Sequence, residues 1–136
     1  MKMIYRTKAS ADGGREGKVV NEEAGLSLDL AMPASGAKGN NPEQLFAMGY
    51  AACFDSALKY CAKLAKKDMQ GSKTTVEIGL GQEDDGGYAL DVGISVTVCG
   101  LPQPEAEALV ERAHQVCPYS RAIRGNVSAR LTVSVE

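Results

Sequence analysis

The sequence predicts an α+β fold with largely antiparallel β-sheets, and three observations carry that prediction. Short segments alternate apolar and polar residues with period two, as in Leu26-Ser27-Leu28-Asp29-Leu30 and from Val127 to Val135. Between them stand two segments with helical spacing, one from Asn41 to about Lys67 and one from Pro104 toward Cys117. The resulting order is strands, helix, hairpin, helix, strand, without the regular strand–helix alternation of a doubly wound sheet.

Met3 to Ala9 carries a weak strand signal, Asp12-Gly13-Gly14 a turn signal, and Gly17 to Asn21 a second strand. Met32 to Asn40, with Pro33, Gly36 and Gly39, reads as a loop. Asn41-Pro42-Glu43-Gln44 is a helix start: Asn41 caps, Pro42 suits the first helical position, and Gln44 completes a capping box. In the helix that follows, Leu45, Gly49, Ala52, Cys53, Ser56, Ala57, Tyr60 and Leu64 share a 3–4 spacing and predict a buried face of apolar or small residues. Such a face lets another helix or strand approach closely. Thr74 to Leu80 is a strand, Asp84-Asp85-Gly86-Gly87 a hairpin turn, and Tyr88 to Cys99 a longer strand with Val92, Ile94, Val96 and Val98 on one face. Cys117-Pro118 interrupts the second helix, and a short turn or helix runs on to Gly125.

The chain has 136 residues, 44% of them apolar, which suits a single domain over residues 1–136. A domain of that size often leaves an apolar face uncovered, so a dimer would be no surprise. With 15 basic and 17 acidic residues there is no basic stripe for nucleic acid. Lys63, Lys66 and Lys67 read as the solvated end of a helix. The N-terminus lacks the apolar core of a signal peptide, and no run of about 20 apolar residues predicts a membrane span. The expected location is therefore the cytosol. There, the four cysteines are unlike a disulfide framework; they are buried thiols, metal ligands or redox catalysts.

Gly13-Gly14-Arg15-Glu16-Gly17-Lys18 superficially suggests a phosphate loop, but Val19 stands where that motif needs Ser or Thr, and the glycine spacing is wrong. A hairpin projecting Arg15 is the better reading. Cys53, Cys61, Cys99 and Cys117 are scattered, with His114 the one histidine, so no metal site is expected. His114 reads as a surface or core residue. No G-x-S-x-G motif points to serine chemistry.

Taken alone, each thiol reads as an inert small hydrophobe, Arg15 as a solvated hairpin charge, and Glu43 as a favourable charge near a helix N-terminus. Longer segments change the reading. Asn41-Pro42-Glu43-Gln44-Leu45-Phe46-Ala47-Met48-Gly49-Tyr50-Ala51-Ala52-Cys53-Phe54 surrounds one cysteine, and Ala113-His114-Gln115-Val116-Cys117-Pro118-Tyr119-Ser120, continued by Arg124-Gly125-Asn126, surrounds another. With Gly13-Gly14-Arg15-Glu16-Gly17, they resemble the organic hydroperoxide resistance proteins of the Ohr/OsmC family over nearly the whole chain. The Cys117 segment resembles that branch more than the osmotically inducible sister branch. Arg121 and Ile123 depart from the family pattern, which often has Asn and Thr there, and the loop before Asn41 is short.

The resemblance implies an intertwined homodimer with two central helices wrapped by β-sheets. It implies a thiol peroxidase for organic hydroperoxides, including lipid-derived ones, with Cys53 as the peroxide-attacking thiol and Cys117 as the resolving thiol. Arg15 matches the active-site arginine and Glu43 the glutamate that holds it. No bound cofactor is implied; electrons come from a lipoyl dithiol on a lipoylated protein. The chemistry suits these residues, because a guanidinium favours a thiolate and a carboxylate can orient the guanidinium. Leu45, Phe46, Met48, Tyr50 and Ile123 are candidates for an apolar pocket wall. On a straight helix Glu43 and Cys53 are about 15 Å apart along the axis. Either the helix breaks near Gly49 or part of the cluster comes from a second subunit. The competing readings are an enzyme of the sister branch, a non-catalytic dimer that binds an apolar ligand and senses through its thiols, and a structural domain with inert thiols.

Overall fold

A computed structural model describes all residues from Met1 to Glu136. Its internal contacts divide the chain into two units, Met1–Leu45 and Phe46–Glu136.

In the first unit, β1 (Ser10–Asp12), β2 (Lys18–Asn21) and β3 (Leu26–Asp29) form an antiparallel sheet in the order β1-β2-β3. The weak strand expected over Met3–Ala9 is absent, and pairing begins at Ser10. Met3, Ile4 and Tyr5 are exposed in the chain, so no burial against a sheet holds the segment in a ladder. A short 3-10 turn, Gly14–Glu16, joins β1 to β2 and carries Arg15. Its geometry needs glycine: Gly13 has φ +80°, and a Cβ on Gly17 would stand 1.8 Å from the Asp12 carbonyl oxygen.

The helix α1 (Pro42–Leu64) opens on a reciprocal capping box, in which the Gln44 N–H donates to Asn41 Oδ1 (2.9 Å) and the Asn41 N–H to Gln44 Oε1 (3.0 Å). It ends where Lys66 turns left-handed, with the Lys67 N–H donating to the Ala62 carbonyl and the Lys66 N–H to that of Lys63. There is no break at Gly49.

In the second unit, β4 (Gly71–Gln82) and β5 (Tyr88–Cys99) form the expected hairpin, and β6 (Arg130–Val135) adds to β5 in parallel. The sheet is therefore mixed. The β5–β6 connection passes through α2 (Gln103–Val116) and α3 (Pro118–Ile123), a crossover long enough for parallel pairing. Val92, Ile94, Val96 and Val98 on one face of β5 are buried with Tyr50, Phe54, Leu58 and Cys61 of α1 and Ala106, Leu109, Val110 and Ala113 of α2.

This packing corrects the expected face of α1. The buried stripe is Tyr50, Phe54, Leu58, Cys61 and Ala62, while Ala52, Ser56, Tyr60 and Leu64 are exposed. The bulky side chains bury more apolar area against the sheet, so they win the core. Ser72 and Thr74 of β4 donate to Asp55 Oδ1 (2.7 and 3.1 Å) and fix the rotation of the helix. No helix is long and apolar enough to cross a membrane.

Candidate active site

Two constellations contain the four residues singled out from the sequence. In the first unit, Arg15 on its glycine-bounded turn meets Glu43 in the first turn of α1. The guanidinium donates to both carboxylate oxygens, at 2.8 Å and 2.5 Å. This planar, two-bond pairing orients the guanidinium. The same hydrogen bonding holds the Glu43 carboxyl below the usual range, against the opposing effect of burial.

In the second unit, Cys53 of α1 and Cys117, the junction residue between α2 and α3, have their sulfurs 3.7 Å apart. Both are free thiols; Cys53 is half-buried and Cys117 fully buried. A disulfide needs about 2.05 Å, so the sulfurs must close by roughly 1.7 Å. Burial pushes the Cys53 thiol up, and the neighbouring Cys117 thiol adds to this; the Tyr119 backbone N–H pulls the other way. A thiol so placed needs a nearby cation to be largely thiolate at neutral pH.

Three rings pack together, two of them from the helix that carries Cys53. Phe46 stacks on Tyr119 at 5.9 Å between centroids, and Tyr50 lies 5.8 Å from Phe46 and 5.6 Å from Tyr119. Gly49 makes room for this group, since a Cβ there would stand 3.0 Å from the Tyr119 hydroxyl. Among the expected wall residues, Phe46 and Ile123 pack against the core, Tyr50 is fully buried, Leu45 is half-buried and Met48 is exposed. Tyr119 was not singled out from the sequence. Its position directly after Cys117-Pro118 was visible, but its approach to Gly49 was not.

The other thiols stand apart. Burial pushes Cys61 up, and it lines an apolar cleft of 520 Å³ with Leu64, Leu109 and Arg112. On the continuous α1 it lies about 12 Å along the axis from Cys53. Cys99 lies 3.9 Å from a Glu136 carboxylate oxygen.

Comparison with known proteins agrees with this architecture. A family model described as OsmC-like protein matches residues 35–132. The chain is 45% identical to the organic hydroperoxide resistance protein OhrA of Bacillus subtilis, over 96% of each chain. It is 42% identical to an organic hydroperoxide resistance protein of Xanthomonas axonopodis pv. citri, over 98% of this chain and 96% of that one. Among solved structures, an organic hydroperoxide resistance protein from Legionella pneumophila superposes with a TM-score of 0.94 at 48% identity, covering 98% of this chain and 100% of the other. The chain belongs to the Ohr/OsmC family, with the organic hydroperoxide resistance proteins as its full-length relatives.

Proposed function

We propose that the protein is a cysteine-based peroxidase that reduces organic hydroperoxides, alkyl and lipid, to alcohols in the cytosol. The observation that carries this reading is the 3.7 Å approach of two free thiols, one accessible and one buried. The names of its relatives point to the same substrate class. The Cys53 thiolate attacks the outer peroxide oxygen; the O–O bond breaks, and the alkoxide takes a proton to leave as the alcohol. Cys53 is now a sulfenic acid. The Cys117 sulfur attacks it, the S–O bond breaks, and hydroxide leaves as water with the Cys117 proton. A dihydrolipoyl group on a lipoylated protein then reduces the disulfide by two exchange steps and is itself oxidised to the cyclic disulfide.

Arg15 supplies the cation that offsets the raised Cys53 pKa and stabilises the leaving alkoxide, and Glu43 aims it. Because α1 is unbroken, Glu43 and Cys53 are separated by about 15 Å along its axis. The reading that follows is a homodimer in which the Arg15–Glu43 pair of one subunit serves Cys53 of the other. The exposed ladder of Met48, Ala52, Ser56, Tyr60 and Leu64 on α1 supports such a partner. The rings of Phe46 and Tyr119, backed by the buried Tyr50, favour an apolar substituent on the peroxide.

The test is steady-state consumption of tert-butyl hydroperoxide with dihydrolipoamide. Cys53→Ser loses turnover and Cys117→Ser loses multiple turnover, while hydrogen peroxide is a substrate poorer by about ten-fold or more. Unimpaired turnover in Cys53→Ser would overturn the assignment. A wild type inactive with every dithiol would move the non-catalytic thiol sensor to the front.

A further inference from the structure

A second polar group of side chains lies against the thiol pair. The fully buried Ser120 hydroxyl is 2.8 Å from the Tyr50 hydroxyl and 2.9 Å from His114 Nδ1. The three residues come from three helices: Tyr50 from α1, Ser120 from α3 and His114 from α2. Each lies three residues from a cysteine. Tyr50 precedes Cys53, His114 precedes Cys117 and Ser120 follows Cys117. Burial pushes the Tyr50 hydroxyl pKa up, the Ser120 hydrogen bond opposes this, and the neighbouring Cys117 and Cys53 add to the rise.

Cys117 sits where the chain bends between α2 and α3, in an extended conformation enforced by Pro118. The His114–Ser120 bond spans that bend, and Arg124 Nη2 spans it again by donating to the His114 carbonyl at 2.8 Å. The Ser120–Tyr50 bond then ties the bend to α1, one turn before Cys53. The far side of the group borders a cavity of 250 Å³ lined by His114, Ser120 and Arg124. Three polar groups gathered inside an apolar core are costly unless mutually satisfied. Their placement astride both cysteines therefore asks for a reason.

We propose that Tyr50, Ser120 and His114 form a hydrogen-bonded pin that holds the Cys117 sulfur within reach of Cys53 and thereby sets the rate of disulfide closure. The inference rests on the peroxidase reading for its biological role, and the three are positioning residues. In the step they govern, the Cys117–Cys53 S–S bond forms as the S–O bond breaks. The Cys117 sulfur is oxidised, the Cys53 sulfur is reduced, and the Cys117 proton leaves in water. With the pin intact, closure needs only the last movement of two side chains. Without it, the bend carrying Cys117 drifts, and the Cys53 sulfenic acid survives long enough for a second peroxide to oxidise it to the sulfinic acid.

The experiment separates attack from closure in the full-length chain with Cys61→Ala and Cys99→Ser. One equivalent of 5,5′-dithiobis(2-nitrobenzoate) releases a first thiolate when Cys53 attacks and a second when Cys117 displaces it, without any peroxide chemistry. A parallel run with tert-butyl hydroperoxide follows sulfenic and sulfinic acid by mass. In Ser120→Ala, Tyr50→Phe and His114→Ala, the ratio of closure to attack rate falls about ten-fold or more, as expected for a misplaced reacting atom. Sulfinic acid accumulates at lower peroxide than in the parent. His114→Asn, which can still hydrogen-bond Ser120, restores the ratio. Should Ser120→Ala fail to fold, Tyr50→Phe, which loses a single oxygen, decides the matter. Ratios equal to the parent's in all three variants overturn the pin; equal slowing in His114→Ala and His114→Asn removes His114 from it. A parent that closes with the aromatic disulfide but ignores peroxide refutes the peroxidase reading and leaves the pin to be judged by the variants.

Discussion

At the residue scale, the proposed peroxidase chemistry turns on the charge state of Cys53. Within the chain, burial and then the Cys117 thiol push its pKa up. If Arg15 supplies the offsetting charge, Arg15→Met raises the pH midpoint of Cys53 alkylation by iodoacetamide by about one unit or more. An unchanged midpoint would assign Arg15 to something other than thiolate stabilisation. His114 offers a second titration. Burial lowers its pKa, Arg124 lowers it further, and Glu111 opposes them. The native state thus binds fewer protons than the unfolded chain in the window between the lowered native value and about pH 6.5, the ordinary histidine value. Stability from neutral His114 is complete above that pH and is lost as the pH falls through the lower native value. Urea midpoints measured at pH 7.5, 6.5 and 5.5 should fall for wild type more steeply than for His114→Asn. The sequence singles out Cys53, Cys117, Arg15 and Glu43 because they lie in segments that resemble the family's, the two cysteine segments being the long ones. The His114–Ser120 contact was not legible, since residues six apart lie on different faces of one helix and meet here only because the chain bends at Cys117-Pro118.

At the element scale, local chemistry explains what was legible. The Asn41–Gln44 box is written in four adjacent residues, and the structure forms both of its hydrogen bonds. Asn41→Ala should cost about 1 kcal/mol in thermal or urea denaturation. A loss much below that would mean that tertiary packing alone holds the helix start. The hairpin β4–β5 was equally legible from Asp84-Asp85-Gly86-Gly87 and the alternation in β5. The rotation of α1 was not. Its 3–4 spacing admits two apolar stripes, one small and one bulky, and only the sheet and the Asp55 hydrogen bonds choose between them. The parallel addition of β6 was also hidden, because alternation within a strand is the same for either direction.

At the scale of the whole molecule, the proposed homodimer would meet through the exposed ladder of Met48, Ala52, Ser56, Tyr60 and Leu64 on α1. Ala52→Arg should convert a dimer to monomer in sedimentation velocity, with loss of peroxide turnover. A sharper expectation concerns which subunit supplies Arg15. A heterodimer of one Arg15→Ala chain and one Cys53→Ser chain contains one intact site if the arginine acts across the dimer. It should retain about half the wild-type turnover, while both parent homodimers are impaired. No activity in the mixed dimer would place Arg15 and Cys53 in the same subunit.

The sequence by itself determined the α+β class, the helix start, the hairpin and the segments that mark the family, because these depend on short-range periodicity, turn chemistry and contiguous motifs. Only the tertiary structure decided that Cys53 and Cys117, 64 residues apart, bring their sulfurs to 3.7 Å. It also decided that Arg15 grips Glu43 with both arms and that a buried serine joins three helices around the thiols. These are long-range outcomes. Which bulky face of α1 the sheet buries fixes where every other side chain on that helix points, and no local pattern records the choice.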